Sequence, residues 1–138
     1  MSAMTDYLEQ KIGDSLFGDT AWTIPATYVA LLTAAASDST AGTEVTNANA
    51  YARVLINNDS ATSPYWSNYT AGVYDNVQDV TFATATGSWG TVSDFKLADS
   101  GTHSGGNDLV HGSLSSSKTV DTNDTFKFAA GDLDMTLD

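Results

Sequence analysis

The nine residues "TVSDFKLAD" (91–99) set Phe95 and Leu97 against Asp94 and Lys96 at alternate positions. Successive side chains of a strand point to opposite faces, so this period of two predicts a strand with one face in a core. The same period recurs on both sides of it. "DVTFATA" (79–85) points Val80, Phe82 and Thr84 one way and Thr81, Ala83 and Ala85 the other. "DLVHGSLS" (108–115) puts Val110 with Leu114, "TFKFAA" (125–130) pairs Phe126 with Phe128, and "LDMTLD" (133–138) aligns Leu133, Met135 and Leu137. Short alternating runs punctuated by Gly, Asn and Asp predict a mainly β fold, an antiparallel sandwich or barrel-like domain.

Upstream, "ATYVALLTA" (26–34) is apolar on both faces, as in a central strand, and Pro25 marks its start. "SDSTAGT" (37–43) reads as a turn-rich loop. "NAYARVLIN" (49–57) predicts a strand with Ala52, Val54 and Ile56 on one face and Tyr51, Arg53 and Leu55 on the other. Residues 58–76 have no clear period and read as an irregular segment. In "TGSWGTV" (86–92) the two glycines predict a bend or bulge with Trp89 packed over it.

Residues 1–18 predict one short N-terminal helix, leaving 19–138 as the β part of a single domain. Met4, Leu8, Ile12 and Leu16 recur every four residues, Thr5 is placed to cap the start, and Gly18 to end it. A helix this short needs a docking partner. The stripe is expected to lie on the protein's own sheet, with Gly13 at the close approach; a neighbouring subunit is the alternative cover.

The chain has 138 residues, 41% hydrophobic and 16% charged, enough for one folded core and unlike a disordered tail. Its net charge is −12, and the basic residues Lys11, Arg53, Lys96, Lys118 and Lys127 are scattered. Nucleic-acid binding needs a basic stripe, and an acidic body is repelled by phosphate and by anionic membranes, so neither is expected as a partner. No apolar run approaches the length of a membrane-spanning helix, and the first residues lack the basic and apolar regions of a secretory signal.

Motifs for chemistry are missing. The sequence contains no cysteine, which excludes disulfides and thiol chemistry. His103 and His111 have no acidic neighbours at a distinctive spacing, so no metal site is predicted. No Ser lies in a G-x-S-x-G setting. "DTNDTFKFAAGD" (121–132) begins like a calcium loop but carries Phe126 where that loop needs Gly. No catalytic, cofactor-binding or metal residue is therefore expected, and no enzyme activity. The aromatics Tyr65, Trp66, Tyr69 and Tyr74 are the candidates for contact, as a core plug, an interface anchor or a sugar-binding shelf. Leu8, Ile12 and Leu16 join them as interface candidates on the helix.

Taken in order, "DYLEQKIGDSLFG", "PATYVALLT", "GTEVTNANAYARV", "VTFATATGSWGTV", "GSLSSSKTV" and "DTFKFAAGDLDMTL" span nearly the whole chain. In these segments the chain resembles a family of small structural proteins from tailed bacteriophages, whose members carry labels such as capsid decoration, cement or tail fibre. The resemblance implies a virion component assembled in the host cytoplasm. The leading expectation is a cement protein on the outer capsid surface, a homotrimer with the major capsid protein as partner. The negative charge suits an exterior place, because a DNA-filled interior repels it. The alternatives are a tail-associated adaptor or short fibre, and a carbohydrate-binding host-attachment module.

Overall fold

The computed structural model describes residues 2–18, 20–23, 25–56, 65–67 and 69–136. The elements are β1 (Ser2–Met4), α1 (Asp6–Phe17), β2 (Thr27–Ala34), β3 (Thr43–Glu44), β4 (Val54–Ile56), β5 (Val73–Asp75), β6 (Val80–Thr81), β7 (Gly90–Ala98), β8 (Asp108–Val120), β9 (Lys127–Phe128) and β10 (Asp134–Thr136). One antiparallel sheet runs β1-β8-β7-β2-β3, with β4 sharing the outer edge of β2 with β3. Two ribbons, β5–β10 and β6–β9, face it. The fold is mainly β and antiparallel, with one helix near the N-terminus, and among the described residues no sheet closes into a barrel.

The core lies between the sheet and the ribbons. Val29, Leu31, Val92, Phe95 and Leu97 supply one side of it, and Val80, Phe82, Phe126, Phe128, Leu133 and Met135 the other. Phe128 stands edge-on to both Phe95 and Phe126, at centroid distances of 5.7 and 5.1 Å. The aromatic cluster thus bridges the two layers at favourable ring geometry. Trp89 is buried as expected, its indole N–H donating to the Asn49 carbonyl at 2.9 Å. A side chain at Gly87 would strike the Asn49 amide, and Gly90 has a φ of +80°, so both glycines are required by the bend.

β2 has its central position, and both of its faces are covered. The outer face of the sheet is more polar than its burial suggests. Asp94 and Lys96 point away from the core but are buried nonetheless. Asp94 accepts from the Ser113 hydroxyl at 2.7 Å, and Lys96 pairs with Asp108 at 2.9 Å and donates to the Ala41 carbonyl. Each buried charge therefore has a partner.

Three expectations for the β part need correction. In 49–57 only Val54–Ile56 is strand, and Tyr51, Arg53 and Ile56 are buried while Ala52 and Leu55 are exposed. Asn49 and Ala50 have positive φ values of 55° and 65°, so the backbone turns there and the strand begins only at Val54. In 79–85 the ladder holds for Val80 and Thr81 alone; Thr84 is exposed and Ala85 buried, inverting the expected faces at the end of the run. The segment 58–76 contains a strand, β5, paired with β10. Buried Asn76 fixes it: its amide N–H groups donate to the Gln78 and Ala129 carbonyls, and its side-chain oxygen accepts from the Gly131 and Leu133 N–H. Leu137 and residues 57–64 lie outside the described residues.

The helix starts where the capping argument puts it. Thr5 accepts from the Leu8 N–H at 3.3 Å, and its own hydroxyl donates to the Asp108 carbonyl at 2.6 Å. Met4 belongs to β1 instead of the stripe, paired with Val110. Tyr7 and Leu8 pack on the core, but the helix fully buries none of its residues. The expected self-docking of the whole stripe is therefore wrong. The cap ties the first turn to β8, and Ile12 and Leu16 in the later turns are exposed. A Cβ at Gly13 would meet nothing within 4 Å, so no close approach exists there.

A buried ion pair joins the connections. Arg53 and Glu44 side chains are 1% and 2% exposed, with Nη2–Oε2 at 2.7 Å and Nε–Oε1 at 2.9 Å. The guanidinium also donates to the carbonyls of Ser100 and Gly105, and the Ser104 N–H and Tyr51 hydroxyl donate to Glu44. Burial alone would raise the Glu44 carboxyl, but the Arg53 hydrogen bonds and charge, with the Ser104 and Tyr51 donors, hold it below its usual value.

Two stability outcomes follow from these contacts. Phe128→Ala should cost about 3–5 kcal/mol in chemical denaturation, the size of a truncated core aromatic; a loss below about 1 kcal/mol contradicts the packing. Glu44→Gln should cost about 3–5 kcal/mol at neutral pH by leaving the guanidinium without its counter-charge. Because the folded carboxyl titrates below its ordinary value of 4.5, its contribution is full above that value and disappears as the pH falls through the folded one. The penalty of the variant should shrink in acid, and a penalty independent of pH contradicts the pair.

Candidate interaction surfaces

The two histidines are used by the fold. His103 Nε2 lies 2.8 Å from the Val45 carbonyl, its Nδ1 3.1 Å from the Ser104 hydroxyl, and its ring stands edge-on to Tyr51. His111 faces Asp38 at 3.0 Å on the opposite side of the sheet from the core. The two rings do not converge. Among the described residues no group of three or more His, Asp or Glu side chains is placed to hold a metal ion.

A cleft of about 540 Å³ opens between β8 and the C-terminal ribbons. Phe95, Leu114, Phe126 and Phe128 line its base, and Ser113, Ser115, Ser116, Lys118, Asp132 and Asp134 its walls. It exists because β8 leaves its ladder there. Val92 pairs with Lys118 and Asp94 with Ser113, so residues 114–117 stand opposite Ser93 alone and bulge outward. The three rings at the base are nearly fully buried by their own packing, so they offer no open stacking platform. Asp134 sits directly across the β5–β10 ladder from Asp75. Desolvation first, and the hydrogen bond and charge of the facing Asp75 carboxyl second, raise Asp134 above its ordinary value. Protonating Asp134 removes that repulsion, so the β5–β10 pairing is expected to strengthen in acid.

The aromatic candidates divide. Tyr65, Trp66 and Tyr74 are half-buried against the core, and Tyr69 is exposed with its ring 5.3 Å from Tyr74 at a tilt of 51°. The Val77 N–H donates to the Tyr65 carbonyl, and Trp66 bridges to Asn76, which fixes this segment along the β5 strand. Three plugs and one free ring do not make a flat shelf.

The helix candidates divide as well. Leu8 faces the core, while Ile12 is 37% and Leu16 69% exposed. Phe17, at 90% exposed, extends the patch and was not foreseen from the four-residue stripe. Its signal was its place four residues after Gly13, which makes it that glycine's neighbour on the helix surface. The helix packs on β8 and the aromatic segment pairs with β10, so the two groups of candidates sit on different elements.

None of the curated proteins compared matches the chain. A family model does, over residues 3–136, and its description is podophage GP4 fiber I protein gp80. The match takes in every described element but the first residue of β1. The chain belongs to this family of tailed-phage virion structural proteins.

Proposed function

We propose that this protein is a fibre-type subunit of the phage tail, non-enzymatic, that works by binding other virion proteins on the outside of the particle. The observation that carries this reading is the family match across residues 3–136, whose description names a fibre protein. The net charge of −12 supports an exterior station away from packaged DNA.

Capsid decoration, with the major capsid protein as partner and a homotrimer as the binding unit, is the second reading. The acidic surface favours it equally, because a head exterior is as far from the genome as a tail. In either place the mechanism is mass action: a subunit that binds only the assembled particle stabilises it, and repetition over symmetric sites multiplies a modest affinity. Host-attachment through a sugar has weaker support, since Tyr69 is the one ring of the aromatic group that is largely exposed.

Antibody against this chain, visualised with gold on purified virions, distinguishes the stations. Label confined to the tail is expected. Label spread over the head contradicts the fibre reading and supports decoration, and virions without label contradict both.

A further inference from the structure

Ile12, Leu16 and Phe17 form an apolar tip on the free end of α1, and the surface around them is acidic. At 100° per residue these three and Gly13 fall on one arc of the helix. Glu9 borders that arc one turn earlier, and Asp14 flanks it. The last turn carries no basic residue, so the negative end of the helix dipole is unmatched. Lys11, the helix's one cation, sits instead over the Tyr7 ring at 5.5 Å.

The tip is held in place. The Ser15 hydroxyl accepts from the Trp22 N–H at 3.3 Å and donates to the Thr20 carbonyl, folding the outgoing chain back on the helix. Trp22 in turn packs on the core. The open space over Gly13 leaves room for a second backbone to come close beside Leu16 and Phe17.

We infer that this tip docks into an apolar groove on a different virion protein, one rimmed by Lys or Arg side chains. This rests on the virion-subunit reading given above. Charge complementarity selects the occupant. A second copy would bring another chain of net charge −12, with its own Glu9, Asp14 and unmatched dipole end, against the first. A basic rim supplies the opposite charge at each of those places, and the exposed Phe17 and Leu16 supply the buried anchor.

The test uses full-length protein supplied in trans to phage lacking its own copy, with the amount per virion measured by quantitative mass spectrometry. Gly13→Gln adds a side chain where the folded protein has room, and replaces a poor helix former with a better one. Its melting temperature should equal or exceed that of the wild type while its content in virions falls at least tenfold. Phe17→Ser should likewise keep the melting temperature and lose at least tenfold. Wild-type binding to stripped virions should weaken as salt rises. Normal incorporation of both folded variants overturns the docking inference while leaving the virion reading intact, and a wild type absent from virions overturns that reading first. Sedimentation of the purified protein covers the remaining occupant: a homo-oligomer that both substitutions dissolve makes the tip a self-association surface and overturns the inference.

Discussion

A carboxylate and a guanidinium, both almost wholly withdrawn from water, hold together the part of this molecule that has the least regular structure. Glu44 ends β3, Arg53 precedes β4, and the carbonyls that Arg53 binds belong to the connection between β7 and β8. Tyr51 donates to the same carboxylate and accepts from the Leu31 N–H of β2. Three neighbouring pieces of chain and the distant β7–β8 connection therefore meet at one charge pair. Buried pairs of this kind add little net stability over apolar packing, but removing one member is costly. Their effect is to select one arrangement of loops, which is what a protein with two-residue and three-residue strands requires.

The long strands and the aromatic core were legible because a period of two is a local signal. Phe95, Leu97, Phe126 and Phe128 all point where the alternation put them. The helix cap was legible for the same reason, since Thr5 and the Leu8 N–H that donates to it are three residues apart. Tyr51 and Arg53 were misplaced because their burial comes from tertiary partners that alternation does not register: Phe82 and Trp89 around the Tyr51 ring, and Glu44 and the carbonyls of Ser100 and Gly105 around the guanidinium. Asn76 is of the same kind: an amide in an irregular segment whose partners lie more than fifty residues away at Ala129 and Leu133. Sequence periodicity reports faces, and it carries no information about such pairings.

The candidate site was half legible. Ile12 and Leu16 were singled out by spacing, but the stripe was assigned to the wrong cover, because amphipathicity says only that a face needs a partner. The cap geometry decides which end is covered. Thr5 fastens the first turn to β8, Tyr7 and Leu8 follow it into the core, and the remaining turns stand free with Phe17 at the end. The core cluster closes without Ile12, Leu16 and Phe17, so the exposed tip is not one of its walls.

On the reading proposed above, this chain is a fibre-type subunit that joins its neighbour through the tip of α1. A cryo-electron microscopy map of the intact virion, at a resolution that separates strands, tests it most directly. The account predicts the six-stranded sheet in density on the tail, with Leu16 and Phe17 seated in a basic-rimmed groove of a different protein. Density for this fold on the capsid lattice, or on the tail with the helix tip facing solvent, would contradict it.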